Sequence, residues 1–343
     1  MSLAGYELFA IVGFMLAAYS IVANDAIQTL GTFLSSNSQR SWITLWFYAC
    51  SIIVAVMLYG WFVYDGDIAF GRLNAIPYPE GGVQWWHALP PLVLLFLTRY
   101  GIPVSTTFLV LTIFAMTGGA ATEGVLGKML TKSALGYLVA LGAGGLVYIA
   151  VSRVWERWIS NTKGEKLGVQ WTVLQWMSTA FLWSQWLMQD LANIFVFLPR
   201  TTEVVNGETM VTFSPYMLIF ATALMLILHA YIFATRGGEI QKIVLSKTNT
   251  TDIRAATLVD FIYGIILFIF KEMSDIPMST TWVFLGLLAG REVAIAYVAG
   301  LRNRMEALSD VGTDIARAGF GLIISVALAF GMPWLATGVM PKF

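Results

Sequence analysis

Two hexapeptides of this chain are nearly identical: Pro103-Val104-Ser105-Thr106-Thr107-Phe108 and Pro277-Met278-Ser279-Thr280-Thr281-Trp282. In each, a proline precedes three consecutive hydroxyl residues inside an apolar stretch. Proline disfavours a helix interior, because it lacks the backbone N–H and clashes with the preceding turn, but it suits the first turn of a new helix. We therefore predict that each hexapeptide begins a half-helix at membrane depth, and that the core is duplicated.

The composition is that of an integral membrane protein. Of 343 residues, 58% are hydrophobic and 12% are charged, whereas soluble domains contain about 25% charged residues. Acidic and basic residues balance, and no basic run indicates a nucleic-acid partner. Cys50 is the single cysteine, which excludes an intramolecular disulfide. The sequence shows no Walker-type phosphate loop and no nucleophile–base pair, so we expect neither ATP-driven transport by this chain nor an enzyme.

Six apolar runs are long enough to cross a bilayer, which takes about 20 residues. Two further apolar stretches, 86–118 and 255–290, are each interrupted by one hexapeptide. We predict that these two are re-entrant hairpins, the alternative being an interrupted crossing. The six runs are approximately 3–35, 42–64, 133–152, 169–198, 215–235 and 315–337.

Loop charges predict the orientation. The loops 153–168 and 236–254 each contain four Lys or Arg residues, whereas 65–86 and 199–214 each have one Arg beside acidic residues. The positive-inside rule places the first two loops in the cytoplasm, and the other two, with both termini, outside. If 255–290 crossed the bilayer, the arginines that follow it would also lie outside, which favours a hairpin. We expect a multi-pass protein of the plasma (cell inner) membrane.

This topology makes the second half an inverted copy of the first. Each half has three crossings and one hairpin, and the odd number of crossings turns the second copy upside down. The repeats are predicted at 1–152 and 169–343, joined by the cytoplasmic connector 153–168. The fold class is therefore an all-α membrane protein with inverted-topology repeats. In secondary transporters with such repeats, binding sites lie near the midplane at broken helices.

A second pair of short elements supports the duplication. Each has an amide residue, then an aspartate, then another amide residue three positions after the aspartate. A carboxylate inside the bilayer is costly unless it is paired, ligated or hydrated. Aspartate and amide oxygens suit a cation such as Na⁺, and an aspartate alone can instead carry a proton. The elements are Asn24, Asp25 and Gln28 in the first half and Gln189, Asp190 and Asn193 in the second.

The hydroxyl triplets suit the opposite charge. Helix N-termini offer unpaired N–H groups and the positive end of the helix dipole, which together bind anions. The Ser and Thr hydroxyls add donors without adding a fixed cation. An alternative is that individual hydroxyls cap or pack helices, as is common in membranes.

At these residues the chain resembles the inorganic phosphate transporter (PiT) family, whose members carry a Gly-Ala-Asn-Asp-Val-Ala-Asn type motif and a Pro-Val-Ser-Thr-Thr-His type motif in each half. The resemblance implies a cation-coupled oxyanion permease that is commonly a homodimer, with no cofactor beyond a coupling Na⁺ or H⁺. It places substrate ligands at Ser105, Thr106, Thr107, Ser279, Thr280, Thr281, Gln28 and Asn193, and cation ligands at Asn24, Asp25, Gln189 and Asp190.

The chain departs from the family motifs at several positions. Gln28 and Gln189 replace asparagine, Val22 replaces glycine, and Phe108 and Trp282 replace the histidine after each triplet. These changes leave an oxyanion as the predicted class of substrate and make phosphate in particular a less secure prediction. Sulfate transport, a passive anion channel and a non-transporting membrane sensor or partner subunit stay open as alternatives.

Charged residues near the hexapeptides are further candidates. Arg99 lies four residues before Pro103 and is a possible gate, the alternative being a capping or snorkelling arginine. Lys271, Glu272 and Asp275 form a charge cluster before the second hexapeptide, and we expect Asp260 to pair with one of them.

Overall fold

The computed structural model describes residues 2–3, 6–117, 124–205, 208–238, 241–245, 250–273 and 277–338. Helices make up nearly all of it. In the first half these are α1 (Leu8–Ile21), α2 (Ile27–Ser36), α3 (Trp42–Val63), α4 (Leu89–Arg99), α5 (Thr112–Thr117) and α6 (Val125–Val151). They are followed by α7 (Trp155–Asn161), α8 (Val169–Phe195), α9 (Pro215–Ala234), α10 (Gln241–Leu245), α11 (Ile253–Met273), α12 (Thr280–Ala294) and α13 (Arg304–Thr337).

Shorter elements join these helices. A 3₁₀ turn, Trp85–Ala88, leads into α4, and three π-helical turns lie at Val22–Ala26, Thr107–Leu111 and Ile295–Ala299. The structure also contains two small antiparallel hairpins that an all-α prediction does not include. They are formed by β1 (Ser2–Leu3) with β2 (Tyr6–Glu7) and by β3 (Thr201–Val205) with β4 (Glu208–Thr212).

Within the described residues, seven helical segments are long and apolar enough to cross a membrane. Large apolar side chains such as Phe62, Leu146 and Ile219 are mostly exposed on their outer faces, as a surface in contact with lipid requires. The protein is therefore an integral, multi-pass membrane protein. Helix α8 is also 27 residues long, but its glutamines and Asp190 lower its hydropathy. The seven segments are Leu8–Ser36, Trp42–Val63, Val125–Val151, Pro215–Ala234, Ile253–Met273, Thr280–Ala299 and Arg304–Thr337.

Two helices begin earlier than their apolar runs predict. The run at 315–337 belongs to α13, which begins at Arg304 because the Asn303 side chain accepts a hydrogen bond from the N–H of Met305 at 2.8 Å. The run at 133–152 belongs to α6, which begins at Val125 after Gly124, whose φ is +77°. Polar residues in the first turns of both helices hide these starts from a hydropathy window.

Both interrupted stretches consist of two helices separated at a hexapeptide. Helix α4 ends at Arg99, and a new helix follows from the first hexapeptide; α11 ends at Met273, and α12 begins inside the second. The hexapeptides therefore begin helices, as predicted. The second of these helices is longer than a half-helix, since α12 and its π-helical turn extend together over Thr280–Ala299. The re-entrant course of both stretches and the inverted relation of the halves stay predictions.

Helix α12 is held against α6 by a very close contact. A Cβ added at Gly290 would lie 2.2 Å from the carbonyl oxygen of Leu141, and one at Gly286 would lie 2.5 Å from that of Tyr137. Small residues at this spacing let two helix backbones approach, as in other membrane helix pairs. The position of α12, and with it the second hexapeptide, is thus set by backbone contact with the first half.

Candidate functional site

The two serines of the hexapeptides cap the helices that follow them. The Ser279 Oγ accepts a hydrogen bond from the N–H of Trp282 at 3.2 Å, and the Ser105 Oγ accepts one from Phe108 at 3.3 Å. Each proline therefore lies two residues before the capping residue rather than in the first helical turn. The first N–H groups of such a helix have no intrahelical partner, so both helix starts retain donors for a ligand.

The two hexapeptides are in direct and reciprocal contact. The Thr107 hydroxyl donates to the carbonyl oxygen of Met278 at 3.0 Å, and the Thr281 hydroxyl donates to that of Val104 at 3.2 Å. The last threonine of each hexapeptide thus binds the backbone of the other hexapeptide, at the residue just before its serine. The rings of Phe108 and Trp282 also meet edge to face, with centroids 5.4 Å apart. The fold therefore brings the two helix starts to one place.

Each middle threonine binds the aspartate of its own half. The Thr106 hydroxyl donates to Oδ2 of Asp25 at 2.5 Å, and the Thr280 hydroxyl donates to Oδ2 of Asp190 at 2.5 Å. Both carboxylates are buried, with at most 1% of the residue exposed. The predicted aspartate and hydroxyl residues of both halves therefore form a single cluster. Asp25 lies in the π-helical turn Val22–Ala26, a kind of helix irregularity that is frequent at functional sites.

The amide residues complete the cluster in different ways. The Asn24 Nδ2 lies 2.6 Å from Asp25 Oδ1 and 2.8 Å from the carbonyl oxygen of Val104. The Asn193 Nδ2 lies 2.8 Å from Asp190 Oδ1 and also contacts the hydroxyls of Thr106 and Thr107 at 2.9 and 3.3 Å. Asn193 therefore connects the aspartate of the second half to the hydroxyl triplet of the first.

The two glutamines differ from each other. The Gln28 Nε2 makes a long contact of 3.4 Å with Asp25 Oδ1. The Gln189 Nε2 instead donates to the carbonyl oxygen of Leu267 on α11 at 2.9 Å. Gln189 thus fastens α8 to α11, while Gln28 faces the first aspartate.

Three side-chain oxygens in this cluster are buried and have no hydrogen-bond partner among the described residues. They are Oδ1 of Asn24, Oε1 of Gln28 and Oδ1 of Asn193. A buried acceptor without a donor is costly, and native proteins rarely leave one unexplained. A bound cation, or a protonated ligand that donates a hydrogen bond, would satisfy oxygens of this kind.

The remaining candidates lie outside the cluster. Arg99 is at the C-terminal end of α4 with its side chain exposed, and its role as a gate stays a prediction. Lys271 and Glu272 form an ion pair at 2.9 Å in which only Glu272 is exposed, while Asp275 lies outside the described residues.

The prediction that Asp260 pairs with a member of this charge cluster is wrong. Its Oδ1 accepts a hydrogen bond from the Thr32 hydroxyl at 2.5 Å, and its Oδ2 accepts one from the Thr179 hydroxyl at 2.6 Å. The network continues through Gln175 to Asn37, at 2.9 and 3.0 Å. It joins α2, α8 and α11, so it links the first half to the second. Thr32 follows Asp25 by two helical turns, but nothing in the sequence marks it as the partner of Asp260.

Comparisons with known proteins add evidence on the fold. No family model matches the chain, and no curated protein matches it in sequence. The structure defines a class, that of multi-helix membrane proteins with paired broken helices. The structure of this chain is similar to a solved structure described as "The sodium-dependent phosphate transporter", with a TM-score of 0.56 and 14% sequence identity. The match covers 97% of this chain and 98% of that one, so it extends over the whole fold.

Proposed function

We propose that this chain is a secondary active transporter that couples the movement of Na⁺ or H⁺ to that of inorganic phosphate or a related tetrahedral oxyanion. The observation that carries the proposal is the reciprocal pair of Thr–carbonyl bonds, which brings two helix starts together beside two buried aspartates. Such helix starts suit an anion, and the aspartates suit a cation. The similarity to a sodium-dependent phosphate transporter supports the same assignment.

The cation end of the site is formed by carboxylate and amide oxygens. Asp25 supplies the charge, and the unpartnered oxygens of Asn24 and Gln28 lie on residues that contact the same carboxylate. Oxygen ligands of this kind are those that hard cations prefer. The same carboxylate would take up a proton if the coupling ion is H⁺.

The hydrogen bonds from threonine to aspartate provide a way to couple the two ligands. While Thr106 donates to Asp25, its hydroxyl proton is not free to bind an anion. A cation on Asp25 would compete for the carboxylate oxygen and release that donor toward the anion. The same argument applies to Thr280 and Asp190. Cation binding would then favour oxyanion binding, which is the thermodynamic requirement for symport.

Burial of the site supports alternating access rather than a continuous pore. Every hydroxyl residue of both triplets, like both aspartates, is at most 5% exposed. Burial of this kind is what a closed state of an alternating-access transporter requires, so a passive channel has less support. Transport then requires movement of the elements that cover the site.

Uptake by the purified protein in liposomes tests the proposal. We expect accumulation of labelled phosphate or sulfate when an inward Na⁺ or H⁺ gradient is imposed. The double variant Asp25→Asn, Asp190→Asn serves as the inactive reference. Asp65→Asn is the matched control, because Asp65 is an exposed aspartate in a loop. Folded wild-type protein that accumulates neither anion under either gradient contradicts the proposal, and uptake that needs no gradient favours a channel.

A further inference from the structure

A cavity that contains none of the hexapeptide residues lies between α8 and α11. Its volume is about 410 Å³, a size typical of binding sites for small molecules. Leu174 and Met177 of α8 and Phe261 of α11 line it, and these residues are 46%, 64% and 50% exposed. The cavity therefore opens on the outer surface of the helix pair, where a membrane protein meets lipid.

Three polar side chains in the lining have their partners within the protein. The hydroxyls of Ser178 and Thr257 each donate to a backbone carbonyl of their own helix, at 3.0 and 2.7 Å. The Arg254 guanidinium is paired with Asp252 at 2.7 Å and donates to the Thr162 hydroxyl at 2.7 Å. An apolar chain can therefore cover these groups without breaking their hydrogen bonds.

One polar atom of the lining is different. The Nε1 of Trp155 is buried, and none of the described residues accepts a hydrogen bond from it. A buried indole N–H usually has a partner. Trp155 also packs against Trp158 and Trp171, with ring centroids 5.5 and 5.6 Å away, and tryptophans are enriched where the membrane meets water. The cavity thus has an apolar part between two helices and a hydrogen-bond donor at its tryptophan end.

The chain beside the tryptophan end is positively charged. Thr162, which binds Arg254 at the cavity, is followed directly by Lys163. Between 155 and 168 the exposed charged residues are Arg157, Lys163 and Lys166 against Glu165. Basic side chains next to a membrane segment attract anionic lipid headgroups.

We propose that this cavity binds an anionic glycerophospholipid of the bilayer, with one acyl chain between α8 and α11 and an ester carbonyl on the N–H of Trp155. The phosphate then lies near Lys163 and Lys166. Each part of the lipid meets a matching part of the protein: the acyl chain meets apolar side chains, the ester oxygen meets an indole donor, and the phosphate meets ammonium groups. The inference goes beyond the proposed function, and it does not depend on which cation or anion is transported.

Tryptophan quenching by brominated lipids tests the proposal, because bromine on an acyl chain quenches the fluorescence of an indole that it contacts. The protein is reconstituted in phosphatidylcholine vesicles that contain increasing amounts of brominated phosphatidylglycerol or brominated phosphatidylcholine. The signal of the cavity is the difference between wild type and the double variant Trp155→Phe, Trp171→Phe. We expect half-maximal quenching of this signal at an about 10-fold lower mole fraction of the anionic lipid, since basic residues near a membrane surface favour it. Trp334→Phe gives the matched control signal, because Trp334 is 50% exposed on α13, and both lipids should quench that signal equally.

Two further variants separate the parts of the site. Thr257→Phe fills the cavity and should abolish the preference for the anionic lipid. The double variant Lys163→Gln, Lys166→Gln should raise the mole fraction of phosphatidylglycerol needed for quenching toward that of phosphatidylcholine. Both lysines are exposed, so this variant decides if the tryptophan variant does not fold, with total tryptophan fluorescence as the readout.

Three results would overturn the proposal. The first is equal quenching of the cavity signal by the two lipids at every mole fraction, which is the behaviour of ordinary surrounding lipid. The second is a cavity signal that neither lipid quenches, as when a second copy of the chain covers the cavity. The third is a lysine double variant that keeps the wild-type preference.

Discussion

The two halves of the candidate site share a hydrogen-bond frame and differ in what surrounds it. In both, a threonine binds the aspartate of its own half at 2.5 Å, and the next threonine binds a carbonyl of the other half. In the first half, Asp25 is contacted by two amide residues with unpartnered oxygens. In the second half, Asn193 is the one amide residue of the described chain that contacts Asp190, while Gln189 donates instead to the carbonyl oxygen of Leu267. Duplicated motifs thus provide the frame, and the amide residues around the two aspartates differ in their contacts.

The largest expected effect distinguishes the two aspartates. If the first half holds the cation, Asp25→Asn should reduce cation-driven uptake by about 100-fold or more, the upper range for loss of a group that supports an ion site. Asp190→Asn should leave oxyanion binding at least as tight as in the wild type, because it removes a buried negative charge that repels the anion. Uptake and calorimetry on both variants check this. Equal losses of cation dependence in the two variants would show that the halves are equivalent.

A smaller effect is expected from the two threonines whose hydroxyls bind the opposite hexapeptide. Thr107→Val and Thr281→Val each remove one hydroxyl that donates to a buried carbonyl, which costs about 1 kcal/mol. Thr107→Val should cost more, because the Thr107 hydroxyl also accepts from Asn193 at 3.3 Å. Unfolding in detergent measures the two free energies. Thr337→Val is a reference at the far end of α13, where the hydroxyl bonds within its own helix. A larger loss for Thr281→Val would contradict the asymmetry.

Local signals explain what could be predicted. In each hexapeptide the proline interrupts the helix, and the serine two residues later caps the next helix. The two helix starts therefore follow from residues that are close in sequence. An amide residue three positions after an aspartate lies on the same face of a helix, which explains the contacts of Gln28 and Asn193. Both elements depend on short sequence separations. The exact place of each proline was not predicted, because Ser279 rather than Pro277 forms the cap.

Long-range contacts explain what could not be predicted. Asp260 binds Thr32, which is 228 residues away in the chain, and no pattern near Asp260 indicates that partner. Arg72 is part of a loop with several acidic residues, so its charge suggested only a solvent-exposed loop. It is buried nonetheless. The loop that carries it is held by hydrogen bonds to Asp67 and by one from Arg200 to the carbonyl oxygen of Ile76, and all of these arise only in the folded protein. Arg99 is closer in sequence to a hexapeptide, yet its side chain is exposed.

The central claim is that cation and oxyanion bind one coupled site formed by both halves. Calorimetric titration of phosphate or sulfate, with and without Na⁺ and at two pH values, tests it most directly. We predict that Na⁺ or a lower pH tightens oxyanion binding, and that the oxyanion tightens binding of the same cation by an equal factor, as linkage requires. An oxyanion affinity that changes neither with Na⁺ nor with pH would contradict the claim.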